Sequence, residues 1–122
     1  MKIRIKGNSV RYRLTKTEVE TFCKTGYFEE KTEFKDKTLT YALKASEQVD
    51  NLMAEFIGET ITMYLPKKNS QSWAKSALVG FQNTVTMENK KELFLLLEKD
   101  FACLDETTED QSDNFPNPLA NN

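Results

Sequence analysis

The sequence predicts a single-domain α+β protein. Its expected frame is a mainly antiparallel, curved β-sheet, made of an N-terminal hairpin plus a meander. Two helices, over about 16–25 and 90–103, and a short helical turn near 70–75 are expected to pack on it. Three observations carry this reading. Charged and apolar side chains alternate with period two through residues 2–14 and again between 27 and 65. Capping-box spellings open two further segments. A chain of 122 residues, 39% of them hydrophobic, suits one core rather than two. Residues 1–104 are read as the domain and 105–122 as an acidic tail containing Pro and Asn.

In the hairpin, Ile3 and Ile5 alternate with Lys2, Arg4 and Lys6, Gly7-Asn8 supplies the turn, and Val10, Tyr12 and Leu14 alternate with Arg11 and Arg13. Period two puts the apolar residues on one face and five cations on the other. Thr15-Lys16-Thr17-Glu18 is a capping box, Leu14 and Val19 stand at staple positions, and Gly26 ends the helix they open. Val19, Phe22 and Cys23 form its apolar stripe, so Cys23 reads as a small core residue rather than a nucleophile. Lys35-Asp36-Lys37 and Gly58-Glu59 read as turns of a meander whose strands carry Leu39/Tyr41/Leu43, Leu52/Ala54/Phe56 and Ile61/Met63/Leu65. Pro66 stops the last of these. Ser70 caps a turn through Trp73, read as a lid on one end of the core, and residues 77–85 suit a strand with Gly80 as a bulge.

Asn89-Lys90-Lys91-Glu92 resembles a second capping box ahead of five consecutive apolar residues, Leu93 to Leu97. On a helical wheel Leu93, Leu96, Leu97, Phe101 and Leu104 share a face, and Asp100 falls within it. A carboxylate there needs a partner, since an unpaired buried charge costs several kcal/mol. Asp100 is therefore read as a buried ion-pair carboxylate, joined to a hairpin cation or to local backbone.

The chain contains no histidine, which excludes Ser-His and Cys-His nucleophile pairs, His-Zn sites and HExxH helices. Cys23 and Cys103 form no CxxC, so a zinc ribbon or thioredoxin-type site is also excluded. MKIRIKG has no apolar h-region and nowhere do about 18 apolar residues run together, so a cytoplasmic location is expected, with no membrane association. The net charge of −2 conceals a polarised chain. Residues 1–16 carry six cations and no acid, and residues 100–122 carry six acids and no cation.

MKIRIKGNSVRYRLT at the start, KELFLLLEKDFACL near the end and the closing DNFPNP together resemble a family of small bacterial proteins of unknown function, over nearly the whole chain. The resemblance implies a cytoplasmic single-domain α+β protein. It supplies no activity, substrate or catalytic residue.

The leading functional reading is a non-enzymatic binding or interaction domain, with a protein or a small anionic ligand as its partner. Lys2, Arg4, Lys6, Arg11 and Arg13 form its anion- or tail-binding face. Asp105, Glu106, Glu109, Asp110 and Asp113 are its removable counter-charge, with Asp110, Asp113 and Phe115 making the tail contacts and Phe115 the anchor. Composition leaves both order and disorder open for residues 105–118. The alternative is a Mg²⁺-dependent enzyme acting on a phosphorylated small molecule, with Glu29, Glu33 or Glu55 holding the metal. A nucleic-acid-binding module is a third reading, opposed by the sequence pI of about 5.3 and the acidic tail. Calcium binding by DETTEDQSD is weaker, for it lacks the glycine and spacing of an EF-hand loop. No catalytic residue, metal site or cofactor is assigned.

Overall fold

The computed structural model describes residues 1–102 and 111–117. Alternation in the first segment gives β1 (Lys2–Lys6) and β2 (Ser9–Leu14), antiparallel neighbours joined at Gly7-Asn8. Helix α1 (Lys16–Thr25) follows at once. The Thr15 N–H donates to Glu18 Oε1 at 2.8 Å, closing one half of the capping box, and Gly26 ends the helix in the left-handed region at φ 78°. Val19 and Phe22 are fully buried, which fixes the helix on the sheets.

Strands β3 (Tyr27–Glu33), β4 (Thr38–Ser46), β5 (Met53–Ile57) and β6 (Thr60–Pro66) come next. A four-residue helix α2 (Lys67–Ser70) and a 3₁₀ turn (Trp73–Lys75) lead to β7 (Gly80–Thr86) and β8 (Glu92–Lys99). The described residues form two four-stranded sheets rather than one. Sheet I has the order β1-β2-β8-β7 and sheet II the order β3-β4-β6-β5. Each is built from two hairpins whose second strands lie side by side and parallel, β2 with β8 and β4 with β6.

The fold class is α+β, but three expectations are corrected. The segment 90–103 is not a helix: Glu92–Lys99 is a central strand of sheet I. Its five consecutive apolar residues, Leu93 to Leu97, have no period that separates a strand from a buried helix. Asn89-Lys90-Lys91-Glu92 is no capping box either. Lys90 takes φ 65°, and the Met87 N–H donates to Lys91 O at 2.8 Å, so the segment is the β7–β8 turn. Residues 27–65 are not a meander, because β5 crosses to the outer edge and β6 returns beside β4.

One core lies between the sheets. Tyr12, Leu14, Leu95 and Leu97 enter it from sheet I and Tyr41, Leu43, Ile61, Met63 and Leu65 from sheet II. The Tyr12 hydroxyl donates to Ile61 O at 3.1 Å across the gap and the Asn83 amide to Leu52 O at 2.8 Å, so the buried polar groups also hold the sheets together. Burial pushes the Tyr12 phenol well above its ordinary pKa, keeping it a neutral donor. Trp73 closes the α1 end of the core, with its indole N–H on Leu78 O at 3.1 Å and its ring edge-on to Phe81 at 5.4 Å.

Candidate site on the outer face of sheet I

Because Tyr12, Leu14, Leu95 and Leu97 point inward, their alternates point out, and the strand registers align them in transverse rows. Lys6, Ser9, Phe94 and Thr84 make the first row, Arg4, Arg11, Leu96 and Gln82 the second, and Lys2, Arg13, Glu98 and Gly80 the third. The face is therefore graded: cations on β1 and β2, apolar side chains in the middle, uncharged amide and hydroxyl groups on β7. Phe94 is 49% exposed. Leu96 borders three depressions. One of about 230 Å³ is lined by Arg4, Lys6, Ser9 and Arg11, one of about 450 Å³ by Gln82, Thr84 and Phe94, and one of about 170 Å³ by Val79, Gly80 and Glu98.

Of the five hairpin cations, Arg11 meets Glu98 at 3.2 Å and Lys2 Nζ meets Asp100 Oδ2 at 3.1 Å. Asp100 is 4% exposed and continues β8, its N–H donating to Leu14 O at 2.8 Å. Its partner is thus a lysine one strand beyond the neighbouring β2, reached from a strand end rather than from a helix face. Arg4, Lys6 and Arg13 form no ion pair among the described residues.

The described part of the tail does not lie over these cations. Asp113 accepts from the Thr17 hydroxyl at 2.8 Å and from the Thr17 N–H, and Asp113 O accepts from the Lys16 N–H at 2.9 Å, so it caps α1 from a distance in sequence. The expected crossing of the hairpin by Asp113 is corrected accordingly: the orphan N–H groups of the first helical turn capture it. Phe115 is an anchor, but against Phe101 at 5.9 Å and under the Lys99 ammonium at 5.1 Å from its ring, with an N–H bond to Asp100 O at 2.9 Å. Asp105, Glu106, Glu109 and Asp110 lie outside the described residues.

Hydrogen bonds from the Thr15 and Thr17 side chains hold the Asp113 carboxyl below its ordinary value of 3.8. A depressed carboxylate pKa means stability present above that ordinary value and lost as pH falls through the folded one. Asp113→Ala is expected to cost about 1 kcal/mol at pH 7, a typical cap loss, with the gap to wild type closing in acid. Urea titrations at pH 7 and pH 2.5 check this; a gap of equal size at both counts against it.

Lys99 went unnoticed in the sequence. It is 6% exposed, donates to Ser76 O at 2.7 Å, and has its pKa lowered by burial. Phe94 and Leu96 were also missed as surface residues, hidden in the apolar run; the usable signal was length, since the nine residues between the Asn89-Lys90 turn and Asp100 are strand-sized. Cys23 is half-buried against Trp73 and Ala74, and burial pushes its thiol up, which leaves it an inert thiol. Glu29 and Glu55 occupy one transverse row of sheet II but its opposite edges, three strand spacings or roughly 14 Å apart. Among the described residues no three His, Cys, Asp or Glu side chains are grouped to hold a metal ion.

No curated protein and no solved structure matches the chain. The match of a family model over residues 1–119 places it, and the chain belongs to DUF7009, a family of unknown function.

Proposed function

We propose that the domain is a non-enzymatic binding module that takes an anionic partner on the outer face of sheet I. Arg4, Lys6 and Arg11 would hold the negative groups, Arg13 would extend the field, and Lys2 would complete the rim. The observation that carries this reading is the set of cations left without an ion pair among the described residues, Arg4, Lys6 and Arg13, the first two of which line a depression of about 230 Å³. Like charges aligned across neighbouring strands repel, so a bound anion relieves a cost already present in the free protein. Its competitor within the chain would be the acidic stretch that includes Asp105 and Asp110, with Asp113 already engaged at α1.

Titration of tripolyphosphate into the full chain, followed by amide NMR, tests the reading. Shifts are expected on β1 and β2, and Arg4→Glu is expected to weaken binding at least tenfold, one charge-assisted contact being worth about 1.5 to 3 kcal/mol. Shifts confined to sheet II, or equal affinity in the variant, would overturn it.

A further inference from the structure

We infer that the anionic partner is a single-stranded nucleic acid, whose phosphates lie along Arg4, Lys6 and Arg11 while a base stacks on Phe94. The inference rests on the anion-binding reading above and adds the other half of the face to it. A cationic hairpin alone fits any polyanion. What narrows the class is the chemistry that the β8 strand brings beside it.

Phe94 stands in the row Lys6, Ser9, Phe94, Thr84, so its cross-strand neighbours are small, and with Glu92 and Leu96 beside it along β8 the ring is still 49% exposed. An aromatic ring half-exposed in mid-sheet, where an adjoining apolar side chain could have covered it, is a stacking platform in search of a flat partner. Next to it the depression of about 450 Å³ is bordered by Gln82 and Thr84, an amide and a hydroxyl that can each donate and accept. Neutral two-way hydrogen-bonding groups suit the edge of a nucleobase; an acidic peptide would require further cations there, and β7 carries none. The distances agree as well. Arg11 is one strand over and two residues along from Phe94, roughly 7 to 8 Å away, so a stacked base and its own phosphate reach both.

A four-stranded sheet is too broad to enter a duplex groove, whereas splayed bases of a single strand can lie across it. Stacking on one ring is tolerant of sequence, so recognition is expected to be weakly base-specific. Arg4, Lys6 and Arg11 give three phosphate contacts. The logarithm of the binding constant is therefore expected to fall with the logarithm of salt at a slope of about −2. The excess of acid over base elsewhere in the chain offers no long-range attraction, so binding depends on this face alone.

The test uses the full chain with a fluorescein-labelled eight-nucleotide thymidine oligomer, an abasic oligomer with the same number of phosphates, and a duplex of the same length, read by anisotropy. The thymidine oligomer is expected to bind at least tenfold more tightly than the abasic one and than the duplex. Phe94→Ala is expected to erase the preference over the abasic strand, and Phe94→Trp to keep it, with thermal melts confirming that both variants fold. Equal binding of thymidine and abasic strands, with Arg4-dependent tripolyphosphate binding intact, overturns the nucleic-acid inference and spares the anion site. Equal or tighter binding of the duplex does the same. No binding of any of the three strands or of tripolyphosphate overturns both.

Discussion

Gly80→Ala is expected to destabilise the protein by about 3 kcal/mol or more, although it adds a single methyl group to an edge strand. A Cβ at Gly80 would stand 2.0 Å from Leu97 O and 2.9 Å from Glu98 Cα. Both atoms belong to the backbone of β8, the central strand of sheet I, and neither can rotate aside. Relief requires the start of β7 to lift away, which breaks the Gly80–Glu98 and Phe81–Leu97 pairing and separates Phe81 from Trp73. Urea denaturation measures the effect through the midpoint at constant slope. A loss under about 1 kcal/mol would mean that the strand moves away freely and that the approach is incidental.

Trp73→Ala is the second large effect, at about 3 to 5 kcal/mol, the usual range for emptying a buried aromatic site. Trp73 is 1% exposed, its ring meets Phe81 of β7 and its 3₁₀ turn packs against α1 and α2, so its removal leaves a void where these elements meet. Trp73→Phe separates the contributions. It retains most of the buried area but removes the indole donor, leaving Leu78 O without its 3.1 Å partner, and is expected to cost about 1 to 3 kcal/mol. If alanine and phenylalanine variants were equally unstable, the hydrogen bond rather than the packing would be the dominant contribution.

The parts of the fold legible in the sequence are those whose signals are local. The hairpin through Leu14 and helix α1 each have a period, a start and a stop within a dozen residues, and both occupy the predicted positions. Sheet order has no such local mark. Nothing in the spelling of β4 and β6 says that they are parallel neighbours with β5 outside them, because that arrangement is decided by contacts between segments distant in sequence. The 93–97 run failed for a related reason: its alternates, Phe94 and Leu96, are apolar although they point outward, so the period that betrays a strand is absent. The same substitution of apolar for polar residues is what gives the candidate site its middle. Its cations could be read from the hairpin; its ring could not, because reading it needed the register of β8 against β2. Gly80 belongs to this class too: the spelling suggests a bulge, but its requirement comes from a strand that follows it in the chain.

The parallel pairing of β2 with β8 also sets an order of assembly. Sheet II closes within residues 27–66, whereas sheet I needs Ser9 to find Phe94 near the other end of the described chain. Contacts of such long sequence separation form slowly, because the intervening loop must be closed before they return any energy. During synthesis the strands of sheet II can therefore pair as soon as they emerge, but their core face, with Leu43 and Met63, stays uncovered until β8 joins β2 and sheet I closes over it. The outer face of sheet I is, by this construction, completed only when β8 is made. Under the proposed function, refolding followed by anisotropy of a bound oligomer is expected to lag behind the recovery of strand signal in circular dichroism, and binding then reports that β8 has joined β2.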